Sequence, residues 1–139
     1  LYRRLKRFDD ALRCQKKAIE INPDYAEAYC NLGLLMDEAF QQPEAAIAAY
    51  EKAISLNPKL QDAYYNYGNV YMRRKDLGAA IPLFEQALSI RPDYGSALAN
   101  MAICYGGLKN YPEAVKNYQK AVDLRVPVNF LQGHYMYTK

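Results

Sequence analysis

The sequence predicts an all-α fold, a right-handed superhelix (α-solenoid) of antiparallel helix hairpins. Apolar and small residues recur at three- and four-residue steps, which is the spacing of amphipathic helices. Prolines end successive repeats in one register, at Pro23, Pro58 and Pro92. Two alanine ladders recur with spacings of 35, 34 and 34 residues: Ala11, Ala46, Ala80 and Ala114, and Ala18, Ala53, Ala87 and Ala121.

Small residues also recur inside the first helix of each repeat, at Gly33, Gly68 and Ala102. Glycine costs roughly 1 kcal/mol relative to alanine inside a helix, so its presence there needs a compensating gain. Helix axes that cross about 8–10 Å apart leave no room for a large side chain at the crossing. The pattern therefore predicts tightly crossed hairpins.

The repeats can be divided into predicted helices. We expect one helix from Ala26 to Ala39, a second from near Pro43 to Leu56, and hairpins over Gln61–Ile90 and Ser96–Leu124. Upstream, Phe8–Ile21 is predicted to be a second helix whose partner is mostly missing.

Two local irregularities interrupt this regular pattern. The segment Met36–Ala46 carries one extra residue, which we place in the turn. Pro82 lies about six residues into its helix, where it removes a hydrogen-bond donor and crowds the carbonyl of Gly78. It predicts a kink or a delayed helix start.

The segments AYCNLGLLM, AYYNYGNVY and ALANMAICY, each followed by an alanine-rich helix, resemble tetratricopeptide repeat (TPR) units. The resemblance covers nearly the whole chain. It implies one domain over residues 1–139, with a partial unit at 1–25, full units at 26–60, 61–94 and 95–128, and a closing segment at 129–139. Because the chain begins at Leu1 with its first helix apparently cut, we expect it to be part of a longer protein.

No constellation of residues points to catalysis, a metal or a cofactor. The phosphate-binding, zinc-protease and nucleophile-elbow motifs are absent, and three cysteines with the single His134 do not make a common zinc site. The sparse cysteines favour a reducing, cytoplasmic setting. The longest apolar runs are too short to span a membrane.

Nucleic acid is also disfavoured as a partner. The net charge is only +3, and most of the 14 tyrosines recur in register as packing residues. The basic opening segment, residues 3–7, is interpreted as a solvated helix face.

The TPR resemblance implies that the first helix of each unit lines a concave groove that binds a peptide or helix of a partner protein. Four acidic residues stand there against one arginine, Arg73, so we expect a neutral or basic partner. The predicted partner-binding residues are Glu27, Asn31, Asp62, Tyr65, Asn66, Asn69, Arg73 and Asn100.

Asn31, Asn66 and Asn100 occupy the position of the asparagine ladder in TPR arrays of O-linked glycosyltransferases, which holds a substrate's peptide backbone. A carboxamide both donates and accepts, so it can bind a backbone amide without reading sequence. Asparagine at this position is also common in TPR units of every function, so a purely structural role stays open. Tyr65, beside the packing residue Tyr64, is expected to be an aromatic anchor.

Several functions remain open on the sequence alone. The leading hypothesis is a passive protein-interaction module. The groove does not match the basic clamp that holds acidic chaperone tails, since Cys30, Leu34, Ser96 and Asn100 are of the wrong type. Alternatives are the substrate-recruiting part of a larger enzyme, such as an O-linked glycosyltransferase, and a scaffold that self-assembles through exposed Leu5, Phe8 and Leu12.

Overall fold

A computed structural model of the protein describes residues 2–124. Within this range the chain forms seven α-helices and one π-helical turn, without a strand, which confirms the predicted all-α solenoid. The elements are α1 (Tyr2–Ile21), α2 (Ala26–Leu34), the π-helical turn (Leu35–Ala39), α3 (Pro43–Leu56), α4 (Gln61–Arg73), α5 (Leu77–Ile90), α6 (Gly95–Gly107) and α7 (Tyr111–Asp123). No helix of this part of the chain has both the length and the apolar character to cross a membrane.

Each helix packs against the next, and contacts that skip one helix join α2 to α4 and α4 to α6. The first helices of the three full units therefore approach one another and form the inner layer of the solenoid. Helices α3, α5 and α7 form the outer layer. This arrangement places the polar positions of α2, α4 and α6 along one surface.

Tight crossing of the two helices in a hairpin is visible at the glycines. A Cβ atom added to Gly33 would lie 2.7 Å from the Tyr50 ring, and one added to Gly68 would lie 2.7 Å from the Phe84 ring. Both rings are fully buried. This confirms the prediction that glycine occurs at these two positions because the helices of the hairpin cross too closely for a side chain.

The alanine ladders line the same crossings. In the three full units, all six ladder alanines have exposed fractions of 0% or 1%. Ala11 and Ala18 on α1 are only half-buried, and α1 packs mainly on α2 and the π-helical turn.

Helix α1 differs from its prediction, because it begins at Tyr2 and runs unbroken through Phe8. The equivalent turns of later units contain Lys75 and Lys109 with φ of 65° and 63°, whereas Lys6 is helical. A helix of a few residues is unstable without extensive packing, since helix nucleation is costly. Continuing α1 instead bonds these backbone groups within a longer helix.

The extra residue of the first full unit lies in the last turn of the helix, which corrects its expected place in the loop. Residues Leu35–Ala39 are π-helical, and the Phe40 amide donates to the Leu35 carbonyl at 3.1 Å. The Gln42 amide then donates to the Met36 carbonyl, six residues back. At the same place in the later units, the Asp76 and Asn110 amides donate to carbonyls only five residues back. The wider turn accommodates one residue while the backbone stays hydrogen-bonded.

Pro82 does not delay the start of its helix, so that alternative is wrong. Helix α5 begins at Leu77 and is helical through Pro82. The Asp76 side chain accepts a hydrogen bond from the Ala79 amide at 3.4 Å, which caps the first turn and stabilises this start. The kink stays a prediction.

The predicted closing segment at 129–139, His134 and the end of the last unit at 125–128 lie outside the described residues. Cys14 is exposed, Cys30 and Cys104 are buried, and all three are free thiols.

We expect Gly68→Ala to lower the free energy of unfolding by about 1–3 kcal/mol, because the new methyl group would overlap the buried Phe84 ring. Gly78→Ala is the matched control, since nothing lies within 4 Å of its added Cβ. There the higher helix propensity of alanine should stabilise the protein by up to about 1 kcal/mol. Urea denaturation measures both; equal effects of the same sign would contradict the close crossing.

Ala80→Leu should also destabilise the fold by about 1–3 kcal/mol, because Ala80 is fully buried against Phe84 and its neighbours. The control is Ala48→Leu at an exposed position of α3. Guanidinium denaturation should separate the two variants, and an unchanged midpoint for Ala80→Leu would refute this placement.

Candidate functional site

The inner layer contains a recess between α2 and α4, with a volume of about 320 Å³. We call it the α2–α4 recess. Its lining includes five of the eight predicted partner-binding residues and four further residues: Glu27, Asn31, Asp62, Tyr65 and Asn66, with Cys30, Leu34, Leu60 and Tyr94. The repeat register therefore brings together residues that lie 35 positions apart in sequence.

Two asparagines of this recess keep open hydrogen-bonding groups. Asn31 is exposed, and its carboxamide has no hydrogen-bond partner within residues 2–124. Asn66 is half-buried, and its Nδ2 makes one weak contact to the Cys30 sulfur at 3.9 Å. Both side chains can thus bond to an incoming chain without first breaking a strong internal bond.

Asn100 departs from the expected ladder. It is only 3% exposed, and its Nδ2 donates to Asn69 Oδ1 at 2.7 Å and to the Tyr65 hydroxyl at 3.3 Å. Its Oδ1 is buried without a hydrogen-bond partner in the described part of the chain. The expectation of an accessible carboxamide at position 100 is therefore not met, because this side chain joins α6 to α4. Asn69 is engaged in the same contact.

Tyr65 has a packing role as well as a place in the recess. Its ring centroid lies 4.9 Å from that of Tyr94 and 5.9 Å from that of Phe84. Cys30 and Ala99 occupy the same register position in the neighbouring units, and both are buried small residues. The small residue at 30 leaves space for the recess beside the Tyr65 ring.

Tyr94 is a recess residue that the sequence analysis missed. It lies before the first turn of α6, and its hydroxyl donates to Asp62 Oδ1 at 2.9 Å. Burial raises the pKa of Tyr94, and the bond to Asp62 raises it further. The hydroxyl therefore keeps its proton and holds the carboxylate in place. The sequence did contain a pattern that could have identified Tyr94, because the preceding repeats have the large residues Tyr25 and Leu60 at the same register position.

Arg73 lies away from the α2–α4 recess. It forms an ion pair with Asp37, whose side chain is only 7% exposed, and the two residues line a separate cavity of about 440 Å³. Burial lowers the pKa of Arg73. The predicted groove arginine thus neutralises a neighbouring acid and contributes no positive charge to the recess.

The recess contains one thiol, that of Cys30. Burial raises the pKa of the Cys30 thiol to about 11, with further increases from Asp62 and Glu27, so the thiol is protonated and unreactive. Residues 2–124 contain no cluster of three or more side chains suited to hold a metal.

Other tyrosines pack away from the recess, as the register indicated. Tyr50 and Tyr67 stack with centroids 6.2 Å apart, and Tyr67 stacks on Tyr71 at 5.5 Å. The Tyr67 hydroxyl donates to Glu51 on α3. The contact between Tyr50 and Tyr67 joins α3 of one hairpin to α4 of the next. These rings form no continuous stacking surface in the inner layer.

The fold and its repeat register define a helical-repeat protein of the protein-interaction or scaffold type. Two family models match, one described as "Tetratricopeptide repeat" over residues 60–125 and one as "TPR repeat" over residues 1–37 and 41–75. The chain belongs to the tetratricopeptide repeat family. A search of curated proteins found no match.

Solved structures of MamA have the same fold. One crystal structure is 34% identical, has a TM-score of 0.78, and is matched over 85% of this chain and 68% of the MamA chain. A second is also 34% identical, with a TM-score of 0.75 and coverage of 84% and 63%. A third, MamA MSR-1 C2, is 24% identical with a TM-score of 0.70 and coverage of 85% and 67%, and shows likeness of fold alone. The chain spans about two thirds of the length of these neighbours.

Tyr65→Phe should lower the free energy of unfolding by about 1 kcal/mol, because Asn100 loses one acceptor while the ring packing remains. Tyr25→Phe is a suitable control, since Tyr25 is 43% exposed. Thermal melts of both variants check this, and identical melting of Tyr65→Phe and the parent would contradict the role of the hydroxyl.

Proposed function

We propose that the inner layer binds an extended peptide or a helix of a partner protein, with the α2–α4 recess as its centre. The observation that carries this proposal is the meeting of two open carboxamides with two carboxylates and two tyrosine rings in one concave surface. Such a mixture of rigid rings and polar groups is typical of binding sites. The domain itself performs no reaction and acts by holding its partner in the cytoplasm.

Asn31 and Asn66 are the backbone-binding residues of this proposal. They occupy equivalent positions on α2 and α4, and each carboxamide offers a donor and an acceptor to a peptide group. With helical units spaced about 10 Å apart and an extended chain rising about 3.3 Å per residue, the asparagines meet every third residue. Asn100 does not extend the ladder, because its side chain is buried and bonds to Tyr65 and Asn69 of α4.

The negative charge of the recess favours some partner segments over others. Glu27 and Asp62 are exposed members of the recess, while the one arginine predicted for the groove is paired elsewhere. An acidic peptide would bring like charges together on binding, whereas a neutral or basic one would not. The partner is therefore a neutral or basic segment of a protein.

We expect Asn66→Ala to weaken binding of a peptide by about 1 kcal/mol, roughly fivefold in Kd, because one net hydrogen bond is lost. The peptide is selected from a random twelve-residue display library against the domain, and Kd is measured by calorimetry. Asn110→Ala is the control, since Asn110 is exposed in the α6–α7 turn and its side chain caps no amide.

Thermal melts confirm folding of each variant before binding is compared. If Asn66→Ala melts as the parent does and binds the selected peptides with unchanged Kd, the inner layer is not the binding surface.

Self-association is a second candidate, because apolar side chains are exposed at both ends of the described array. Leu5 is 48% exposed on α1, although Phe8 and Leu12 are half-buried and Phe8 packs on Phe40. At the other end, Leu108 and Val115 are 50% and 56% exposed. Head-to-tail stacking would bury both sets. Light scattering over a range of concentrations tests this: a constant monomer mass overturns it.

A further inference from the structure

We infer that the α2–α4 recess is a pocket for one basic side chain, lysine or arginine, of the segment bound in the groove. This inference rests on the proposed function and deepens it, because it states which residue of the partner is recognised. The proposed asparagine contacts hold a backbone without regard to sequence. The recess adds a requirement for positive charge at one point of the bound chain.

The first support is the convergence of two carboxylates. Glu27 and Asp62 occupy the same register position on α2 and α4, and both line the recess. Both act electrostatically on one buried point, the Cys30 thiol, and both raise its pKa. The third full unit has Ser96 at this position, so the acidic pair occurs between the first and second full units of the described array.

No positive charge of residues 2–124 lies among the side chains that line the recess. Its nine lining residues include no lysine or arginine. Arg73 is paired with Asp37 in the neighbouring cavity, and Arg91 lies 5.0 Å from the Tyr94 ring with its Nε 3.3 Å from Asp93. Neither Glu27 nor Asp62 forms an ion pair within the described part of the chain.

The aromatic wall suits a long basic side chain as well. The Tyr65 and Tyr94 rings pack on each other, tilted by 33° with centroids 4.9 Å apart, and both line the recess as an apolar surface. The Tyr94 hydroxyl bonds one oxygen of Asp62, which fixes the carboxylate beside these rings. The side chain of lysine or arginine can lay its methylene groups along the rings and place its charged end at the acids.

The recess is large enough for such a side chain. Its volume of about 320 Å³ equals that of about ten water molecules in the liquid. The space exists because Cys30 is small where the next unit has Tyr65. A basic residue held there also fixes the register of the bound chain, since Asn31 and Asn66 lie in the same recess.

The test is an NMR titration of the ¹⁵N-labelled chain with blocked seven-residue peptides that differ only at the centre. Glycine and serine flank a central arginine, lysine, glutamine or glutamate. We expect the arginine and lysine peptides to shift the amide signals of the recess residues, and the glutamine and glutamate peptides to leave them in place. Raising the salt concentration to 0.5 M should reduce the shifts, since exposed charges are then screened.

Asp62→Asn keeps the shape of the side chain and removes its charge, so it should weaken binding of the arginine peptide at least fivefold. The control Glu20→Gln removes the same charge on α1, where Glu20 is exposed and outside the recess, and should bind as the parent does. Equal shifts with the arginine and glutamine peptides, or unchanged binding by Asp62→Asn, would overturn the basic pocket. Dependence of the library peptides on Asn66 would then still support the groove, so the two proposals fail separately.

Discussion

The close crossing of the two helices in each hairpin is the constraint on which the rest of this structure depends. Gly33 lies against Tyr50 and Gly68 lies against Phe84 at distances that exclude even a methyl group. One face of each inner helix is therefore committed to the hairpin interior. On α2 and α4, another face carries the carboxylates of Glu27 and Asp62 and the carboxamides of Asn31 and Asn66 that a partner would contact.

The sequence was sufficient for the architecture because packing repeats. Six buried alanines and two glycines recur in register, and a residue type that recurs at each crossing reports the same geometry each time. The local departures were less predictable. An extra residue between Met36 and Gln42 can be placed in a loop or in a widened helical turn, and hydrogen bonding of the folded backbone decides between them. The unbroken α1 likewise depends on which helices surround it.

Prediction of the candidate site was limited by differences in burial that residue identity does not reveal. Asn31 and Asn100 hold the same register position, yet one is exposed and the other is almost fully buried. The difference arises from their neighbours, because Asn100 lies beneath Tyr65 and Asn69 and bonds to both. Tyr94 shows the converse, since a residue outside the inner helices reaches into the recess through its bond to Asp62.

The π-helical turn has a consequence for how such arrays evolve. The added residue lies after Glu27 and Asn31 and before α3, so it changes the length of the unit without changing the phase of the groove residues. Helix α3 still presents Ala46 and Tyr50 to the crossing. An insertion of one residue at this place therefore preserves the packing of the hairpin, because the phase of α2 and α3 at their crossing does not depend on a constant repeat length.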